Sequence, residues 1–215
     1  MKSDSSIRPS EGLRHVRYEI RGRLARRAHE LERQGYEILS LNIGNPRAFG
    51  LRTPETMRLA MIENLAEAEG YCHQKGIFPA REAVVMQQQE RGVTGVTAEE
   101  VFIGNGVSEL IDLTLRALLN PGDEVLVPSP DYPLWTAAVT LNGGKAVHYP
   151  CRPENGFVPD PGEIAHLCTP RTRAIVVINK TIPPERSTRA RYLNSWPHSP
   201  SGAAWSSSAT RSTTR

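Results

Sequence analysis

Val101-Phe-Ile-Gly-Asn-Gly-Val-Ser-Glu-Leu-Ile-Asp-Leu113, followed closely by Gly122-Asp-Glu-Val-Leu-Val-Pro-Ser-Pro-Asp-Tyr-Pro-Leu-Trp135, is the stretch whose reading decides the fold. Its first part predicts a short β-branched strand, a Gly-Asn-Gly turn, and a helix carrying Leu110, Ile111, Leu113, Leu115, Leu118 and Leu119. A turn of this kind leaves the backbone N–H groups of Gly106, Val107 and Ser108 without intrahelical partners, which makes a ready anion site. The Ser108 hydroxyl adds a donor, and the glycines allow close backbone approach. The second part predicts a buried strand at 124–127 and a proline-rich turn presenting Tyr132, a flat ring able to stack on a heterocycle. A phosphate cradle beside an aromatic platform suits a phosphorylated aromatic cofactor. Alone, the glycine turn also reads as a plain strand-to-helix connection.

Outward from this stretch, strand and helix alternate. Helices are expected at 18–34, closed by Gly35, and from Thr53-Pro54-Glu55, read as an N-cap with proline at the first helical position, to about Leu65. A glycine-flanked loop follows at 71–78, then a helix at 80–91. Thr97-Ala98-Glu99-Glu100 caps a short turn before the strand at 101–103. Further strands are expected at 124–127, 146–149 and 172–179, with helices from Ser108 and at 134–141 and 161–167. An extended run is expected at 38–43. The alternation predicts an α/β fold with a mainly parallel sheet, and Thr172-Arg-Ala-Ile-Val-Val-Ile178 reads as a fully buried strand.

Composition sets the class. With 39% hydrophobic and 23% charged residues over 215 positions, the chain can bury a full core. The net charge of +3 comes largely from the last part of the chain and from Arg21, Arg23, Arg26 and Arg27; basic residues are not interleaved with aromatics, so no nucleic-acid surface is expected. Cys72, Cys151 and Cys168 match neither a metal pattern nor a disulfide framework, which fits a reducing compartment. His15, His29, His73, His148 and His166 show no ligand spacing, and no metal site is expected. The segment 1–19 lacks an apolar signal region and no run approaches a bilayer span, so a cytoplasmic protein is expected, with no membrane partner.

Four blocks give the chain a family likeness: Leu41-Asn-Ile-Gly-Asn-Pro46, Gly70-Tyr-Cys-His-Gln-Lys-Gly76, Ile103-Gly-Asn-Gly-Val-Ser-Glu-Leu-Ile111, and Pro130-Asp-Tyr-Pro-Leu-Trp-Thr-Ala-Ala-Val139. Together they resemble the class I/II aminotransferases of fold type I, which use pyridoxal 5′-phosphate, in the bacterial alanine aminotransferase branch; the resemblance implies the N-terminal half of a three-layer α/β/α fold. The likeness runs from about Tyr18 to Asn179. It implies that Gly106, Val107 and Ser108 hold the cofactor phosphate and that Tyr132 stacks on the pyridine ring. It implies that Tyr71 reaches the phosphate bound by the partner in a homodimer, and that Gly44 closes on the substrate carboxylate. The turn residues 132, 71 and 44 also admit ordinary packing roles. The implied parent reaction is ping-pong amino-group transfer from L-alanine to 2-oxoglutarate, giving pyruvate and L-glutamate. The domains expected are an N-terminal arm and small-domain segment at 1–50, part of the large cofactor-binding domain at 51–179, and a non-native tail at 180–215.

That tail changes composition abruptly at Lys180, becoming rich in Ser, Thr, Pro, Arg and Ala without apolar periodicity. It reads as disordered, expected to lack stable packing and to leave Ile175, Val176 and Val177 beside an exposed edge. It also reads as a frameshift product. Taking the last base of each codon with the first two of the next, synonymous choices permit a continuation. That continuation holds an Asn-Asn-Pro-Thr-Gly loop, an amphipathic helix, a buried strand and the family's Ser-Asp-Glu-Ile-Tyr signature. Neither Lys75 nor Lys145 stands in the family's Schiff-base motif, so no catalytic residue is assigned and the chain itself is expected to be inactive. Two rival readings remain. One is a non-enzymatic product that docks on a full-length aminotransferase subunit. The other is a dinucleotide-binding domain, disfavoured because Gly104-Asn-Gly106 lacks a third glycine and an acidic ribose ligand.

Overall fold

Two apolar runs build the centre of the molecule, Glu124–Ser129 (β1) and Thr172–Ile178 (β3), joined by Lys145–Pro150 (β2) and Ala204–Ser207 (β4). The computed structural model describes residues 8, 10–16, 22–40, 44–178 and 204–207. All pairings are parallel, in the order β2-β1-β3-β4. Contacts divide the chain into two compact units, one of residues 1–20 and 105–215, the other of residues 21–104.

In the first unit, the period of two along β1 sends its side chains to opposite faces. Val125 and Val127 pack with Ala174 and Val176 against Ile111 and Leu115 of α4 (Val107–Leu118) and Trp135, Ala138 and Val139 of α5 (Leu134–Leu141). Leu126, Ile175 and Val177 face Tyr149, Cys151 and Ile164, the last from α6 (Pro161–Leu167). Val125, Leu126 and Val127 are fully buried, and each contributes on the order of 1.5–3 kcal/mol from burial. The two faces follow from chain direction. The β1–α5–β2 and β2–α6–β3 crossovers run opposite ways across the sheet, and the right-handed rule puts their helices on opposite sides. The expected three-layer α/β/α architecture is present.

The second unit carries α1 (Arg23–Arg33), α2 (Glu55–Glu63) and α3 (Phe78–Glu90). Neither α1 nor α2 contains a buried residue, while α3 buries Val85 and the charged Arg81. Gly35, at φ +88°, ends α1 as expected, with Tyr36 N–H donating to Leu31 O and Gly35 N–H to Glu32 O. Helix α2 starts one residue later than its sequence signal, with Pro54 in the capping position and no side-chain cap from Thr53. Thr97 and Glu100 cap the short turn as expected, with Glu100 Oε2 accepting Thr97 N–H at 2.8 Å and the Thr97 hydroxyl at 3.2 Å.

Two expectations are corrected. Residues 101–103 are extended but form no strand, because strand structure requires a pairing partner. Among the described residues, β1 is flanked by β2 and β3, and Ile103 N–H is satisfied by Lys75 O at 2.8 Å. The edge expected beside Ile175, Val176 and Val177 is not open either. β4 pairs with β3 from Ile175↔Ala204 to Ile178↔Ser207, so β3 is an interior strand of the described sheet. Parallel pairing is a main-chain property, and a polar segment satisfies it as an apolar one does. The remaining tail residues, and residues 41–43 and 179 of the expected extended runs, lie outside the described residues.

Candidate functional site

Helix α4 opens on Gly106, whose φ of +85° and ψ of 172° are reserved in practice for glycine. A Cβ built there meets no atom within 4 Å. Backbone conformation, not crowding, therefore requires glycine, and the space above the turn is open. No side chain caps this helix end. The acidic group of its first turn, Glu109, turns back to accept Asn105 N–H at 2.5 Å. Val107 and Ser108 thus present exposed backbone donors and the Ser108 hydroxyl at the positive end of a three-turn helix.

Residues 119–123 reverse the chain between α4 and β1, and both elements share one core. The N-terminus of α4 therefore stands at the carboxyl end of the sheet, where parallel α/β folds place ligands. Tyr132 arises at the same end, directly after β1, and its carbonyl accepts Trp135 N–H at 3.0 Å at the start of α5. The turn has a polar buttress that sequence reading missed. Thr136 Oγ1 donates to Asp131 Oδ2 at 3.0 Å and lies 2.9 Å from His148 Nε2. The spacing of Asp131 and Thr136 across the first turn of α5 was the available signal. The open glycine turn and the ring at one sheet end fit a phosphate carrying an aromatic ring.

Tyr71 and Gly44 belong to the second unit, and both are exposed. The loop bearing Tyr71 is anchored by a charged network that sequence reading also missed. Arg81 Nε donates to Gly76 O at 3.1 Å and Nη1 to Ala98 O at 2.6 Å. Lys75 Nζ donates to Glu99 O at 2.6 Å and pairs with Glu99 Oε2 at 3.2 Å. Hydrogen bonding and charge from Lys75, then from Arg81, hold the Glu99 carboxyl below its ordinary range. Lys145 is likewise engaged, with Nζ 3.1 Å from Glu124 Oε1. Both described lysines are thus committed to carboxylates. Among the described residues no group of three or more His, Cys, Asp or Glu could hold a metal ion, and no helix is long and apolar enough to cross a membrane.

A parallel three-layer α/β unit with an open glycine turn and an aromatic residue at its carboxyl edge defines the class as an α/β protein of the doubly wound type. Its sequence places it further. Residues 36–208 match the family described as Aminotransferase class I and II, and the chain belongs to that family. It is 51% identical over 179 residues to the glutamate-pyruvate aminotransferase AlaA of Escherichia coli (strain K12), covering 83% of this chain and 44% of that protein. It is 47% identical over 175 residues to the alanine aminotransferase of Mycobacterium tuberculosis (strain ATCC 25618 / H37Rv), covering 81% and 41%. A solved Escherichia coli aminotransferase superposes with a TM-score of 0.83 at 48% identity, over 89% of this chain and 47% of that one. The alanine aminotransferase from Pyrococcus furiosus gives 0.81 at 35% identity, over 87% and 48%. The chain therefore spans about half the length of these relatives.

Proposed function

We propose that this chain is the phosphate-binding half of an alanine aminotransferase that uses pyridoxal 5′-phosphate. The full-length reaction is amino-group transfer from L-alanine to 2-oxoglutarate, giving pyruvate and L-glutamate. The observation that carries this reading is the uncapped, open turn at Gly106, Val107 and Ser108, at the same sheet end as Tyr132. The cofactor, when bound, supplies an electron-withdrawing pyridine ring. The chain's own residues hold and orient it: backbone N–H groups and the Ser108 hydroxyl take the phosphate, and Tyr132 takes a ring face. Tyr71 is assigned to the phosphate bound by the partner of a homodimer, and Gly44 to the substrate carboxylate. The similarity to a glutamate-pyruvate aminotransferase and to an alanine aminotransferase supports the substrate pair. The protein is assigned to the cytoplasm.

The 215-residue polypeptide binds the cofactor without turning over, because neither described lysine, Lys75 or Lys145, stands in the family's Schiff-base motif; they pair instead with Glu99 and Glu124. The tail is read as a shifted frame beginning near Lys180. In the alternative frame an apolar Leu-Val-Val-Phe run falls across the codons of residues 204–208, which is where β4 adds to the sheet. Restoring one base at the codons of Asn179 and Lys180 and assaying transfer from L-alanine to 2-oxoglutarate tests the function. Turnover is expected where the restored frame reads on through the family's Schiff-base motif, which the recovered frame over residues 181–215 does not itself contain. A restored, folded product that binds pyridoxal 5′-phosphate but leaves alanine unconverted overturns the substrate assignment, and one that binds none overturns the whole reading.

A further inference from the structure

On the α6 face of the sheet, away from α4 and its glycine turn, the first unit holds a cavity of about 320 Å³ of which the reading above uses only the rim at Tyr132 and its buttress Asp131. Its size stands at the lower end of small-molecule sites, room for one bicyclic ring. Tyr149, Cys151, Phe157 and Val177 line it, with Asp131 and Tyr132. Exposure grades along the wall. Tyr149 and Cys151 are 2% and 8% exposed, whereas Tyr132 is 40% exposed and Asp131 is half-buried, so the carboxylate stands toward the mouth.

The inner end carries no charge. The Tyr149 hydroxyl donates to Val176 O at 2.6 Å, so the residue offers the cavity its ring rather than its polar tip. Burial pushes the Cys151 thiol up, keeping it protonated at neutral pH. At the mouth, Asp131 Oδ2 accepts the Thr136 hydroxyl, and Oδ1 takes part in no described hydrogen bond. No Lys, Arg or His is among the described lining residues. Among the described lining residues an anion would find no counter-charge and would meet Asp131, while a cation would be paired there and faced by aromatic rings.

We propose that this cavity is a binding site for a small flat aromatic amine, its ring between Tyr149, Phe157 and Val177 and its ammonium group on Asp131. The preference for a cation is opposite to that of the phosphate turn, although Tyr132 borders both.

The test uses the 215-residue chain without pyridoxal 5′-phosphate, since free amines condense with that aldehyde. Tryptamine and indole-3-acetate are titrated by ligand-observed NMR, and labelling of Cys151 by a neutral disulfide reagent is timed with and without each. Tryptamine is expected to bind at least tenfold more tightly than indole-3-acetate and to slow labelling of Cys151. Asp131→Asn keeps an oxygen acceptor for Thr136 at a half-buried site, and is expected to bring the two affinities together. Val177→Trp, which fills the cavity, is expected to abolish both binding and protection. Because Asp131→Asn leaves the core intact, it decides the matter even if Val177→Trp fails to fold. Equal affinities in the unaltered chain, no saturable tryptamine binding, or no protection of Cys151 overturns the proposal. Pyridoxal 5′-phosphate binding by a chain that ignores tryptamine would leave the earlier reading standing.

Discussion

A methyl group added to Gly76 would lie 2.7 Å from Ile103 Cβ and 2.8 Å from its Cγ1, with Gly76 at φ +97°. This close approach brings Lys75 O onto Ile103 N–H and presents Gly76 O to the buried Arg81. The loop that carries Tyr71 is therefore fixed to the second unit at its C-terminal side. Gly76→Ala adds a left-handed backbone cost of about 1–2 kcal/mol and an overpacking cost of about 1–3 kcal/mol. The expected outcome is faster hydrogen exchange at the Ile103 amide and easier proteolysis of residues 70–76. Unchanged protection of that amide would show that the contact holds nothing.

Tyr149 joins the two sides of the sheet's α6 layer through its bond to Val176 O. Tyr149→Phe leaves a buried carbonyl with one acceptor site unfilled, a loss of about 1–2 kcal/mol read as a lower urea midpoint. Burial, and then the neighbouring Cys151 charge, push the phenol well above its ordinary value near 10. In the unfolded chain the phenol ionises first, so its contribution is complete below about pH 10 and is lost as pH rises beyond it. The Cys151 and Cys168 thiols, also raised by burial, begin the same decline from their ordinary value near 8.5. Tyr149→Phe should flatten the upper part of this alkaline slope and leave the lower part. A slope unaltered above pH 10 counts against the assignment.

Glu124 opens β1 and is buried at 7% exposure, where Thr169 Oγ1 donates to Oε2 at 2.6 Å and Lys145 Nζ lies on Oε1. The Thr169 hydrogen bond, then that from Lys145, hold its carboxyl below the usual range against the opposing effect of burial. A depressed carboxyl stabilises the fold above its unfolded value near 4.3 and loses that contribution as pH falls through the lower folded value. Glu124→Gln should cost on the order of 1–3 kcal/mol at pH 7, since charge-assisted bonds are replaced by neutral ones. The cost should shrink below about pH 4. Urea midpoints at pH 7 and pH 3.5 for both chains decide it; an equal gap at the two values excludes the mechanism.

The sheet was legible in the sequence because its strands are β-branched runs between clear turn signals. Residues 172–178 and 124–129 appear close to where they were expected, and so do α4, α5 and α6. Residues 101–103 share that composition and still form no strand, because strand propensity does not supply a neighbour. β4 fails in the opposite sense: Ala204–Ser207 has no apolar period, yet lies in parallel register on β3. In the candidate site, Gly106 was legible because a turn feeding a helix announces itself by glycine spacing. Arg81 was not legible, since a lone arginine in a helix reads as solvated until its partners at Gly76, Ala98 and Glu99 are brought together by the fold.

Removing β4 tests how far the sheet depends on it. Deletion of residues 201–215 uncovers the edge of β3 that pairs with residues 204–207. Faster hydrogen exchange at amides of β3, with little change in β2 on the opposite side of β1, is the expected pattern. Greater loss of soluble protein on standing should accompany it. Equal protection of β3 in both chains would remove β4 from the folded sheet.

Ser108→Asp bears on the phosphate turn itself. Position 108 is the second residue of α4, where an acidic side chain favours the helix through its dipole. The substitution should therefore preserve or slightly raise stability while placing a negative charge where the phosphate is proposed to sit. Ser108→Ala removes one hydroxyl donor and leaves the backbone N–H groups. In equilibrium dialysis, pyridoxal 5′-phosphate is expected to bind the unaltered chain without covalent attachment and to be displaced by inorganic phosphate. Ser108→Ala should weaken binding about tenfold, one charge-assisted hydrogen bond at roughly 1.5 kcal/mol, and Ser108→Asp should abolish it. Pyridoxal, which lacks the phosphate, should not distinguish the three proteins. A folded Ser108→Asp chain with undiminished affinity for pyridoxal 5′-phosphate would place the phosphate elsewhere and remove Gly106, Val107 and Ser108 from the site.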